Sequence, residues 1–183
     1  AATGSVGQRF ISLLENHPWF EVKAVTGSER TAGGTYAEGC RWLLPGNIPT
    51  AVANLPVLPS DPTGLKDIRV VFSALPADIA KTVEPDLARE GMAVFSNASA
   101  YRREPDVPIL LPEVNADHAS LVEIQRKQRG WKGCIVTNPN CTSTGLTVAL
   151  KALQNAFGIQ KVFAVSMQAL SGAGYPGVPS LDI

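Results

Sequence analysis

The sequence predicts an α/β protein built on a mostly parallel β-sheet, and three observations carry that expectation. Segments of helical and strand period alternate along most of the chain. A glycine turn containing Gly4 and Gly7 opens the first helical segment. Small polar residues, Asn97 and Asn140 among them, directly follow apolar runs, at the carboxyl ends of strands where parallel sheets bind their ligands.

The elements follow in order. Phe10, Ile11, Leu13 and Leu14 have helical spacing, and His17-Pro18 closes that run. "FEVKAVTG", Phe20 to Gly27, alternates as a strand and leads into the polar loop "SERTAGGTY". Prolines at 45, 49, 56, 59 and 62 predict irregular chain from Tyr36 to Thr63, with short extended pieces around "LPVLP". "IRVVFSAL", Ile68 to Leu75, reads as a buried strand, Asp78 to Gly91 as a helix that Pro85 kinks or divides, and "MAVFSNAS" as the next strand. "VPILLPEVN" is a short extended segment, Asp117 to Gly130 a polar-faced helix, and "GCIVTNPN" a further buried strand. Leu146, Val148, Leu150, Leu153 and Phe157 then suit a helix of about four turns that ends at Gly158. "IQKVFAVSMQAL" alternates as a long strand.

At 183 residues, 45% apolar and 17% charged, the chain has the make-up of an ordinary globular protein. Sixteen basic residues balance sixteen acidic ones, which argues against a basic nucleic-acid surface or a polybasic membrane face. Cys40, Cys134 and Cys141 are odd in number and form no C-x-x-C pair, so neither a disulfide framework nor a structural zinc site is expected, and a reducing cytoplasm is. No run of about 18 apolar residues suggests a membrane span. A glycine turn in a dinucleotide-binding unit is fed by a strand, and no residues precede Ala1 to make one. We therefore read the chain as a piece of a longer protein, the alternative being a small protein with a ragged start.

Thr3, Gly4, Ser5, Val6 and Gly7 place backbone N–H groups and the positive end of a helix dipole where a pyrophosphate can be held, although structural turns share this composition. After the next strand, Ser28, Arg30 and Thr31 suit a ribose 2'-phosphate, whereas Glu29 suits an unphosphorylated ribose. Cys141 follows an Asn-Pro-Asn turn at the start of a helix, a setting that stabilises a thiolate and makes it a nucleophile; a free cysteine is also a common core residue. Asn140 and the amides of that turn can stabilise an oxyanion. Asn97, Arg102 and Arg103 sit just past a strand end, where a guanidinium can grip phosphate or simply be solvated. His17 and His118 fall at helix ends and read as surface residues.

Together, "ATGSVGQRF", "SNASAYRRE", "NPNCTSTGL" and "QALSGAGYPGVPSLDI" resemble the aspartate-semialdehyde dehydrogenases, in particular those of archaea and fungi, over the whole chain. The resemblance implies a Rossmann-type NADP-binding domain over residues 1–140, its mostly parallel sheet lacking the first strand. The opening part of an α/β catalytic and dimerisation domain then covers residues 141–183. It implies reversible, NADP-dependent conversion of aspartate semialdehyde and inorganic phosphate to aspartyl phosphate through a cysteine thioester, on the route to lysine, threonine and methionine. Cys141 would be the nucleophile and Gln168 the side chain that orients the substrate, while Asn97 and Arg102 would bind phosphate. Thr3, Gly4, Ser5 and Val6 would face the pyrophosphate, Ser28, Arg30 and Thr31 the 2'-phosphate, and Ser73, Ala74 and Leu75 the cofactor groove. Ser171, Gly172, Ala173 and Gly174 would lie against the nicotinamide. The family's general-base histidine matches neither His17 nor His118, so the 183-residue piece alone is expected to have little activity, and the complete protein to be a homodimer or homotetramer. Malonyl-CoA reductase, N-acetyl-gamma-glutamyl-phosphate reductase and an inactive nucleotide-binding fragment remain the alternatives.

Overall fold

The computed structural model describes residues 1–169. Five short strands lie in two parallel sheets. Strands β1 (Val25–Gly27) and β2 (Val57–Pro59) pair in one, with Val25 opposite Val57. Strands β3 (Val70–Ser73), β4 (Ala93–Ser96) and β5 (Cys134–Thr137) form the other in that order. The helices are α1 (Ser5–Leu14), α2 (Tyr36–Gly39), α3 (Thr50–Ala53), α4 (Ala77–Arg89), α5 (Pro112–Asn115), α6 (Leu121–Arg129) and α7 (Cys141–Phe157).

The expected α/β alternation is present, but as two sheets. Phe10, Leu14, Val25, Val70 and Phe72 line the apolar cleft that separates β1 from β3. Two cores follow from this division. Ile11, Val25, Tyr36, Val52 and Val57 pack around the first sheet, and Leu87, Met92, Val94, Val107, Trp131 and Ile135 around the second. Each such side chain, fully buried, is worth about 1.5–3 kcal/mol of hydrophobic stabilisation. Cys40 and Cys134 belong to these interiors, where burial pushes their thiols up, whereas Cys141 is exposed.

Among the described residues the outer edge of β5 has no neighbouring strand, yet its backbone groups are paired. The Gln125 side chain of α6 accepts from Ile135 N at 2.7 Å and donates to Ile135 O at 3.0 Å and Asp106 O at 3.2 Å. Beyond it, Thr137 N donates to Pro108 O and Leu110 N to Thr137 O, both at 2.9 Å. One side chain and one loop thus stand in for a strand, which buried backbone groups require.

Four expectations need correction. Pro112–Asn115, expected as part of an extended segment, forms helix α5. Of the two outcomes expected at Pro85, a kink or a division, division is excluded, because α4 runs continuously from Ala77 to Arg89. The carbonyl that Pro85 cannot reach, that of Lys81, accepts instead from the Tyr101 hydroxyl at 2.7 Å. The alternating stretch after Gly158 is not a strand over its described part, residues 159–169. It has no ladder partner among the described residues, and Phe163, Val165 and Met167 are exposed. The expected strand from Phe20 shortens to Val25–Gly27, since Phe20 to Ala24 line the cleft rather than pair. By contrast, α7 starts at Cys141 and stops at Gly158, which has a positive φ of 72°.

Candidate active site

Two groups of residues gather at the carboxyl ends of the strands. The first surrounds the glycine turn. Ala2 N donates to Thr26 O at 2.7 Å and so docks the turn beside β1. The buried Tyr36 hydroxyl donates to Ala2 O at 3.0 Å, and Gln8 Nε2 donates to Thr3 O at 2.9 Å. Gln8 also donates to Arg41 O and accepts from Leu43 N, so all of its reach is used to tie turn and loop together. With these carbonyls held by the core, the first amides of α1 are the groups left for a ligand. Gly4 caps α1 and no side chain satisfies its first turn.

The turn also has the close approach that its glycines imply. A Cβ on Gly7 would lie 2.3 Å from Ala1 O and 2.7 Å from Ala2 Cα, so only glycine lets the helix pack this near the preceding backbone. A Cβ on Gly4 would meet nothing within 4 Å, which leaves open space over the amides. Thr3, Ser5 and Val6 border that space in sequence, with Val6 exposed and Thr3 and Ser5 half-buried. Just past β1, Thr31 folds back on Ser28, its N–H and Oγ1 donating to Ser28 O at 2.9 and 3.1 Å. Ser28 and Arg30 are exposed there. This cradle fits the phosphates of a dinucleotide.

The second group lies past β4 and β5. Arg102 Nε donates to Asn138 O at 2.9 Å and its Nη2 to Asn97 O at 2.7 Å. Asn138 Nδ2 in turn donates to Asn97 Oδ1. The guanidinium keeps Nη1 without a protein acceptor among the described residues. Three residues after Asn138, Cys141 begins α7 with its side chain exposed. Asn140 is the helix N-cap, its Oδ1 accepting from Thr142 N at 3.0 Å. Its carbonyl oxygen is therefore committed to the helix, and its amide NH2 is the part available to an oxyanion. An exposed thiol, amide groups and a guanidinium thus lie past the ends of β4 and β5, groups chemically able to serve as nucleophile, oxyanion donors and anion ligand.

Other expected residues fall differently. Ser73 is buried and its hydroxyl donates to Glu84 at 2.7 Å, so only its backbone is available to a ligand; Ala74 and Leu75 are half-buried just beyond it. Gln168 lies exposed in the irregular segment after α7. Ser171, Gly172, Ala173 and Gly174 lie outside the described residues. Arg103 is exposed, and both histidines lie at helix ends as expected. Asn138 was visible in sequence only as part of a turn; its role in joining Arg102 to Asn97 depends on β4 and β5 being neighbours.

Comparison with known proteins fits this geometry. The profile described as "Semialdehyde dehydrogenase, NAD binding domain" matches residues 2–122. An aspartate-semialdehyde dehydrogenase of Archaeoglobus fulgidus is 52% identical over 182 residues, covering 100% of this chain and 52% of that protein. A malonyl CoA reductase (NADP) of Metallosphaera sedula is 42% identical over 182 residues, covering 100% of this chain and 51% of its own. A crystal structure of aspartate semialdehyde dehydrogenase with NADP from Candida albicans superposes with a TM-score of 0.79 at 42% identity, covering 86% of this chain and 46% of that one. The chain spans about half the length of the curated relatives it matches. On these grounds the chain belongs to the semialdehyde dehydrogenase family and carries its NAD-binding domain.

Proposed function

We propose that this chain is the cofactor-binding and nucleophile-bearing part of an NADP-dependent aspartate-semialdehyde dehydrogenase. The observation that carries the reading is the exposed Cys141 at the first turn of α7, next to the Arg102, Asn97 and Asn138 cluster. In the reductive direction Cys141 Sγ attacks the acyl carbon of aspartyl phosphate, and the carbon–oxygen bond to phosphate breaks. The departing phosphate is received by Arg102 and Asn97. The acyl group is then held as a thioester on the cysteine. NADPH supplies the hydride that the thioester carbon accepts. The resulting oxyanion is met by the Asn140 amide NH2 and the Cys141 N–H at the start of α7, and its collapse expels the thiolate and releases the aldehyde.

Thr3, Gly4, Ser5 and Val6 would hold the pyrophosphate and Ser28, Arg30 and Thr31 the 2'-phosphate, with Ser73, Ala74 and Leu75 along the groove. Gln168 would orient the substrate and Ser171 to Gly174 border the nicotinamide. Residues 1–140 would form the cofactor domain and 141–183 the start of the catalytic and dimerisation domain. Exposed Leu146, Val148, Leu153 and Phe157 on α7 support a further cover there, by the rest of that domain or by a second copy in a homodimer or homotetramer. Among the described residues no helix is long and apolar enough to cross a membrane. A biosynthetic enzyme of this kind would work in the cytoplasm.

The test is NADPH oxidation by the full protein with aspartyl phosphate and with malonyl-CoA, beside Cys141→Ala. Turnover of aspartyl phosphate, lost in the variant, is the expected result. Preference for malonyl-CoA would transfer the same thioester chemistry to a CoA substrate, and activity that survives without the sulfur would refute the mechanism.

A further inference from the structure

Helix α4 lies behind the anion cluster and touches the loop that carries it at two points. At the first, Pro85 has no N–H, so the Lys81 carbonyl one turn back lacks its helical donor, and the Tyr101 hydroxyl fills that place at 2.7 Å. Tyr101 directly precedes Arg102, and its ring is also covered by the Arg129 guanidinium, 5.8 Å from the ring centroid. At the second, Glu84, fully buried beside Pro85, accepts from Ser73 Oγ at 2.7 Å and from Ser96 Oγ at 2.6 Å through a single oxygen, Oε1. Ser96 Oγ then accepts from Ala98 N at 3.0 Å, in the turn where Asn97 receives Arg102. Among the described residues the other carboxyl oxygen, Oε2, is buried without a hydrogen-bond partner.

We propose that α4 is a positioning element for the anion-binding loop: Tyr101 docks on the carbonyl that Pro85 frees, Glu84 anchors the root of the loop through Ser96, and both hold the Arg102 guanidinium in place. Tyr101 and Glu84 are then positioning residues, which act through Arg102 and do not touch the substrate. The inference rests on the proposed function for its phosphate ligand, but its geometry is independent of that reading. A purely structural role for the Tyr101 hydroxyl would amount to satisfying the Lys81 carbonyl. Pro85→Ala separates the two, because the substitution restores a backbone N–H to that carbonyl and makes the hydroxyl redundant as a structural partner.

The experiment compares Tyr101→Phe, Pro85→Ala and the double variant in the full protein, with kcat, the KM for inorganic phosphate, melting temperature and amide hydrogen exchange. Tyr101→Phe is expected to raise the phosphate KM about 5- to 10-fold at nearly constant kcat, in line with loss of one positioning hydrogen bond. The double variant should recover melting temperature but keep the raised KM. Recovery of both together, or an unchanged KM in Tyr101→Phe, overturns the Tyr101 half. Glu84→Gln, which keeps Oε1 as an acceptor, should leave Ala98 amide exchange near the wild-type rate, whereas Glu84→Met should speed it about tenfold; equal rates in the two overturn the Glu84 half. Arg102→Ala serves as the separate check on the ligand. If it leaves the phosphate KM unchanged, the phosphate reading fails, and exchange at the Arg102 amide alone decides: several-fold faster in both Tyr101→Phe proteins supports positioning, and no change refutes it.

Discussion

Gln125→Met would remove the group that closes the open edge of β5 while keeping the volume of the side chain. Gln125 is fully buried and makes three hydrogen bonds, at 2.7, 3.0 and 3.2 Å, two of them to the N–H and C=O of Ile135. Those two backbone groups face away from β4 and have no alternative partner among the described residues, because the bonds to β4 and the residue before it are made by other residues of that segment, as in Cys134 N to Met92 O and Asn138 N to Ser96 O. A buried group left without its partner costs about 1–3 kcal/mol. Two such groups and a third, weaker contact, set against the better burial of a thioether, give a net loss of about 3 kcal/mol. For a domain of this size that corresponds to a fall of roughly 6–12 °C in melting temperature. Urea unfolding followed by circular dichroism measures it, with Gln128→Met, exposed on the same helix, as the control. A loss within about 0.5 kcal/mol of that control would refute the reasoning, and would mean that water or a shifted loop can replace the amide.

Four further substitutions test other parts of the structure. Gly133→Ala would put a Cβ 2.0 Å from Met92 O and 2.7 Å from Gly91 C, both backbone, so a loss of more than about 3 kcal/mol or insoluble expression is expected, whereas Gly145→Ala in α7 meets nothing within 4 Å and should not destabilise. Asp106 is held below the usual carboxylate range by hydrogen bonds from Arg129, one of them 2.6 Å from Nη2 to Oδ1, against the opposing effect of burial. A depressed carboxyl contributes stability above its unfolded value of about 3.9 and loses it as pH falls through the lower native value. Asp106→Asn should therefore cost about 2 kcal/mol at pH 7, with the difference from wild type shrinking below about pH 4 in denaturant titrations. Tyr36→Phe removes the 3.0 Å bond to Ala2 O; a stability loss of about 1 kcal/mol and NADP binding weakened several-fold by fluorescence titration are expected.

Local signals made part of this architecture readable. The helix at Cys141 was legible because its apolar period, its Asn140 cap and its Gly158 stop lie within one continuous stretch. Strands β3, β4 and β5 were legible as short apolar runs, and β4 and β5 are followed by the polar residues Asn97 and Asn138. The arrangement of Arg102, Asn97 and Asn138 was only half legible, since each is visible at a strand end but their bonds require β4 and β5 to be neighbours. Gln125, Glu84 and Tyr101 were not legible at all. On their own segments they look like helix-surface or loop residues, and their partners lie 10 to 20 positions away.

The failed expectations have the same cause. Pro85 breaks a helix by local rules, and it does not do so here because a hydroxyl from a different loop satisfies the carbonyl it strands. The alternating residues after Gly158 satisfy the strand pattern, but a strand exists only with a neighbour to share its hydrogen bonds, and among the described residues they have none. The α/β alternation, the glycine turn and the cysteine at a helix start are written into local stretches of sequence, since periodicity, backbone freedom and capping act over a few residues. Which polar side chains close the sheet edge, rescue the proline helix and seat the arginine depends on the folded packing, because those bonds join segments that meet only after the sheets have formed.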